Sequence, residues 1–291
     1  MRWLTHPEES LLAVSLPQLA GLELPYLHTP LVQADGLLTP QGCGVLAGVI
    51  STVLCFVMYK GSRALTPPLS KVYKHLSLED RRNWDTRYAS VFHAVSCVYF
   101  AYRLLWEGDL FWKDADEPLV RRTSAGTYMA LGISTGYFST DFVTCVKYNM
   151  GGTEMVLHHI GSLLSVAMAL MTGDGHMHTL WMLSTEFTTP LINNRWWLDK
   201  MGMKSSILYV INGLSIAIFW VPARLYVFVP YFITLWETRD QLQYVTFFSK
   251  ILIVVIPIIL SILNLIWFRK IMIGVYKVLS KPERKEGAKT Q

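Results

Sequence analysis

Apolar blocks as long as a membrane span constrain this chain most. Residues 42–59, 88–106, 125–148, 153–172, 176–193, 206–229 and 245–268 read as such blocks. The hydrocarbon core of a bilayer takes about 20 apolar residues of helix. The 291 residues are 52% apolar, and the mean hydropathy is positive. The blocks lack the strand-like alternation of a membrane β-barrel. The expected fold class is all-α, a polytopic transmembrane helical bundle.

About seven spans are expected, of which 176–193 is the least apolar and carries Glu186 and Pro190. With seven spans, one side of the membrane receives the basic loop 60–87, Lys147, the Arg195/Lys200/Lys204 loop and the basic tail. By the positive-inside rule that side is cytosolic, so the N-terminus is luminal or outside and the C-terminus cytosolic. The +5 formal charge therefore speaks to topology, and no nucleic-acid partner is expected.

The chain divides into an N-terminal extension (1–41), the first span with its basic loop (42–75), a main domain (76–279) and a basic, disordered tail (280–291). Residues 11–24 read either as a short interfacial helix or as part of a poorly ordered extension. Ser77, ahead of Leu-Glu-Asp-Arg-Arg, reads as a helix cap. Cys43, Cys55, Cys97 and Cys145 lie in or beside apolar runs and are expected as free thiols.

His158 and His159 sit a few residues into the block 153–172. Ionisable groups inside a bilayer are costly and mark functional sites by default. At about 1.5 Å of rise per residue, His158 lies roughly 7 Å from the cytosolic end of its segment. His93, Asp141, Glu186 and Asn212 fall about six or seven residues from the cytosolic ends of theirs, so five helices place polar groups in one layer. The two imidazoles diverge by about 100° around the helix, and Ser162 stands a turn further on.

Such a layer suits acid–base or nucleophilic chemistry. An imidazole acts as base or nucleophile, with a carboxylate orienting it. The candidate catalytic residues are His158, His159, Asp141 and Glu186. Candidate substrate-binding residues are His93, Ser162, Asn193, Asn212 and Arg195. His159, Asn193 or Asn212 can donate to a developing oxyanion. Arg195, Lys200 and Lys204 lie where they would meet phosphates. Each polar residue also has a plainer reading, as interhelical hydrogen bonding. Arg224 is expected to snorkel or pair structurally near the far side. Trp106, Trp196, Trp197 and Trp267 read as interfacial anchors. No metal site is expected, although zinc on His93, His158 and Asp141 is conceivable from depth alone; clustered di-iron, Walker and Rossmann patterns are absent.

The ordered set of motifs resembles one family. Leu76-Ser-Leu-Glu-Asp-Arg-Arg-Asn-Trp-Asp-Thr-Arg87, Ser90-Val-Phe-His93 and Gly136-Tyr-Phe-Ser-Thr-Asp141 come first. Leu157-His-His159, Glu186-Phe-Thr-Thr-Pro190, Asn193-Asn-Arg-Trp196 and Ile211-Asn-Gly213 follow. Together they resemble the TLC domain shared by ceramide synthases and the translocating-chain-associating membrane protein, most closely its small transmembrane-protein-fifty-six type. The resemblance implies a multi-pass protein of the endoplasmic reticulum or another endomembrane, concerned with lipid homeostasis. In the synthase branch the paired histidines and nearby aspartates serve acyl transfer from acyl-CoA, and His158, His159 and Asp141 match them. The synthases' His-Asp-x-x-Asp pattern is replaced here by Ser184-Thr-Glu186-Phe-Thr-Thr189, which argues against ceramide synthesis itself rather than against acyl transfer. The expected partners are membrane lipids, with acyl-CoA as co-substrate of an enzymatic form and no cofactor. A non-catalytic lipid sensor, carrier, insertion or trafficking factor is the alternative.

Overall fold

A computed structural model describes residues 27, 29–33, 37–148 and 150–280. Residues 11–24, read as an interfacial helix or a poorly ordered extension, and the tail beyond residue 280 lie outside them. The described chain is helical, with one isolated antiparallel bridge between Val32 and Leu38. Its elements are α1 (Pro40–Leu69), α2 (Lys71–His75), α3 (Leu78–Leu105), α4 (Ala125–Tyr148) and α5 (Gly152–Thr172). Then come α6 (His176–Ser184), α7 (Thr189–Lys200), α8 (Ile207–Trp220), α9 (Phe228–Glu237) and α10 (Phe247–Leu279).

Four helical stretches are long and apolar enough to cross a membrane: Pro40–Leu69, Gly152–Thr172, Ile207–Glu237 and Phe247–Lys277. They coincide with the four strongest apolar blocks. The other helices pack among them, and α6 is almost wholly buried. Ser77 caps α3, accepting from the Asp80 amide. The four cysteines are buried and free.

Several segment ends differ from the sequence expectation, for local reasons. The helix at 176–193 is broken by a 3₁₀ turn, Thr185–Thr188, and resumes as α7 to Lys200. The segment expected to end at 229 runs on to Glu237. Its middle is a π-helical turn, Val221–Tyr226. Pro222 lacks the N–H that the regular ladder requires, and wide π turns absorb such defects. In α10, Pro257 frees the carbonyl of Ile253, and the Tyr231 hydroxyl donates to it at 2.6 Å.

Glycines bring α1 and α4 into backbone contact. A Cβ at Gly132 would meet the Gly44 carbonyl, and one at Gly136 the Gly48 carbonyl. Small residues permit this approach, the usual currency of helix packing in lipid. At one end of the bundle Gln41 donates to the Leu170 and Met171 carbonyls, both at 2.8 Å. Nearby, Asp174 pairs with Arg121 and accepts from the Thr246 amide at 3.0 Å. Burial pushes the Asp174 carboxyl up, but these bonds and Ser249 outweigh it and hold it below the usual range.

Two outcomes follow from this packing. Gly132→Val should overpack the α1–α4 crossing and cost about 1–3 kcal/mol, read as a lowered Tm in detergent; an unchanged Tm contradicts the close crossing. The lowered Asp174 pKa means its contribution is fully present above the ordinary carboxylate value of 3.8 and is lost as pH falls through the lower folded value. Asp174→Asn should accordingly lower stability at neutral pH and flatten its decline in acid; an unaltered pH profile contradicts the assignment.

Candidate functional site

The main cavity opens among α3, α4, α5, α7, α8 and α10 and has a volume of about 670 Å³. That is the size of a small-molecule or lipid-headgroup site. Its wall includes His158, His159, Asp141, Glu186, Asn193 and Arg195. The four candidate catalytic residues thus face one space, together with two of the five candidate binding residues.

The α5 segment begins after a left-handed turn at Gly151 and Gly152, so both histidines enter near the start of the helix. They point apart. Asp141 sits on α4, where its Oδ2 lies 3.1 Å from His159 Nδ1. Cys145, one turn later, donates its thiol to the same oxygen at 3.7 Å. His158 lies edge-on to Trp267, with centroids 5.6 Å apart. Its Nδ1 is buried and has no hydrogen-bond partner among the described residues. Trp267, expected as an interfacial anchor, is therefore part of the cavity wall.

Glu186 is held differently. Its carboxylate accepts from Thr189 Oγ1 at 2.6 Å and lies 3.8 Å from Arg224 Nη2. Arg224 also donates to Thr188 and Thr189, both at 2.8 Å. The π turn places Arg224 in the cavity wall, buried, rather than snorkelling toward the far side. Of the two expectations for Arg224, snorkelling and structural pairing, the pairing with Glu186 holds; its segment runs to Glu237, so it lies further from the far end than a span ending at 229 implies.

The remaining candidates divide. Asn193 accepts from Arg87 Nη1 at 2.6 Å and donates to Ser90 at 3.0 Å. Arg195 donates to the Tyr209 carbonyl at 3.0 Å, with its guanidinium 3.9 Å above the Tyr209 ring. His93 lies outside the cavity wall, stacked on Tyr137 at 4.1 Å and 2.9 Å from Cys97 Sγ. Asn212 is buried and also outside it. Ser162 lines a narrow adjoining space of about 50 Å³ that also reaches His158 and Glu186. Lys200 pairs with Asp80 at 2.7 Å, away from the cavity wall.

Arg87 is the residue the sequence reading passed over. It counted as one of many loop cations, yet it lines the cavity and stacks over Trp196 at 4.2 Å. Its place on α3 within one turn of Thr86 and Ser90, which line the same cavity, was the available signal. Among the described residues, Asp141, Cys145 and His159 can also converge on a metal ion, their ligand atoms all lying within 4.8 Å.

The TLC-domain family model matches residues 83–273. The chain belongs to the TLC-domain family. It is 29% identical over 237 residues to TLC domain-containing protein 4-A of Xenopus laevis, covering 76% of this chain and 88% of that protein. It is 24% identical over 231 residues to TLC domain-containing protein 4 of Homo sapiens, covering 77% and 84%. Topoisomerase I damage affected protein 4 of Saccharomyces cerevisiae is 30% identical over 177 residues, 56% of this chain and 61% of the yeast protein. With its four apolar helices, the chain is an integral membrane protein of a family linked to membrane lipids.

Breaking a buried ion pair costs about 3–5 kcal/mol because one charge is left unpaired. Arg224→Ala should therefore lower stability by about that amount, and Glu186→Gln in the same chain should recover much of it. Thermal unfolding in detergent measures both. Additive losses in the double variant would contradict the pairing.

Proposed function

We propose that this TLC-domain protein binds an acyl-lipid in the cavity and acts on membrane lipid composition by histidine-dependent acyl transfer. The observation that carries this reading is the convergence of His158, His159 and Asp141 on a space of about 670 Å³ whose lining also includes apolar residues such as Leu214, Ile216, Ile271 and Val275. The topology that goes with it has seven spans, α3, α4 and the α6–α7 pair adding to the four strongest. The N-terminus is luminal, the C-terminus cytosolic, and the cavity opens to the cytosol of an endomembrane such as the endoplasmic reticulum.

The chemistry follows from the side chains. His159 has the Asp141 carboxylate beside it, whereas His158 Nδ1 has no polar neighbour in bonding reach among the described residues, so His158 is the imidazole that takes the proton from the incoming hydroxyl or amine. The acceptor oxygen or nitrogen then attacks the acyl carbonyl, the bond to the leaving group breaks, and the proton passes from His158 to that group. Asp141 holds His159, which faces the developing oxyanion. Glu186 is neutralised by Arg224 and acts as a positioning residue. Arg87 and Arg195 form no ion pair among the described residues. They suit the phosphate of a lipid or of acyl-CoA as co-substrate. His93, Ser162 and Asn212 support the wall from behind or from the adjoining space.

One observation favours a second reading, a non-catalytic lipid carrier or sensor: Glu186, the acid that remains from the synthase pattern, is tied up by Arg224 and Thr189. The test is a comparative lipidome of cells lacking the protein, restored with wild type or with His158→Ala/His159→Ala at matched abundance. Acyl transfer predicts that only wild type restores the altered lipid class. Equal restoration by the double variant rules out the enzymatic form and leaves the carrier.

A further inference from the structure

We propose that Asp141, Cys145 and His159 bind a divalent cation of the zinc type at the cavity wall. The inference deepens the acyl-transfer reading, on which it rests for the cation's task but not for its binding.

Cys145 follows Asp141 by one helical turn on α4, so both side chains leave the same face. His159 meets them from α5. All three residues line the main cavity. The donor set is a carboxylate, a thiolate and an imidazole, which zinc accepts at about 2.0–2.3 Å in a tetrahedral arrangement. Tetrahedral ligands at those lengths stand about 3.3–3.6 Å apart. Here Asp141 Oδ2 is 3.1 Å from His159 Nδ1 and 3.7 Å from Cys145 Sγ, and the three ligand atoms lie within 4.8 Å of one another.

The second observation is the orientation of His159. The residue is 8% exposed, and its Nδ1 lies at ion-pair distance from Asp141 without forming a hydrogen bond. A hydrogen bond requires the N–H to aim at the acceptor. Ligands of one ion instead sit side by side and aim at a common third point. A buried nitrogen with no hydrogen-bond partner calls for an explanation, and a shared cation supplies one. The fourth position faces the cavity, which is the open-site pattern of catalytic rather than structural zinc. A cation there would polarise a substrate carbonyl beside His158.

The full-length protein, purified in detergent without chelators, tests this. Elemental analysis should find about one zinc per chain, and cobalt exchanged into the site should show a thiolate-to-metal band in the near ultraviolet. Cys145→Ser should abolish that band, and Asp141→Asn should weaken zinc binding at least about tenfold. Cys43→Ser, remote from the site, should leave both unchanged. A wild-type protein that takes up no zinc, or whose cobalt form has no thiolate band, overturns the proposal without any variant having to fold. Binding of a fluorescent fatty acyl probe, measured on zinc-free and zinc-loaded protein, separates the two claims. Probe binding with no metal uptake sinks only the cation; metal uptake with no probe binding sinks only the lipid reading.

Discussion

Within an apolar bundle every charged group needs a partner, and the Glu186–Arg224 pair shows how the fold meets that demand. Neither residue is tolerable alone at that depth. Together, with Thr188 and Thr189, they tie the 3₁₀ break between α6 and α7 to the π turn between α8 and α9. Two irregular backbone segments are thus joined at one point in the cavity wall. The junction contributes Glu186, Thr189 and Arg224 to the cavity's lining.

The prolines are accommodated in a related way. Pro257 interrupts α10 but leaves a carbonyl that Tyr231 on α9 can use. Pro222 sits in the π turn that aims Arg224 inward. Against these yielding elements stands the α1–α4 crossing, whose glycines admit no side chain between the backbones. The molecule therefore combines a close-packed pair of helices with a looser group around a cavity.

The helical class and the strongest spans were legible because a bilayer selects for long apolar runs. The Ser77 cap and the α4 limits were legible for local reasons, a hydroxyl before an acidic first turn and a sharp glycine turn beyond. The convergence of His158, His159, Asp141 and Glu186 on one space could be anticipated from depth along each helix. Depth does not give azimuth, however. His93 shares the layer but faces Tyr137 and Cys97, and Asn212 likewise misses the cavity wall. Arg224 pairs structurally, one of its two expected roles, but lies nearer mid-span than expected because its segment runs on to Glu237. Cys145 follows Asp141 by four residues, which puts both on one helix face, but its nearness to His159 depends on how α4 and α5 cross.

The central claim is that an acyl chain enters this cavity with its reactive end near His158. Photo-crosslinking with a diazirine-bearing, clickable fatty acid in membranes, mapped to single residues, tests it most directly. The account predicts labelling of cavity-lining Met155, Tyr137 and Trp267, reduced by an excess of unlabelled fatty acid. Labelling confined to outward-facing residues such as Leu157 and Ile160, insensitive to competition, would contradict it.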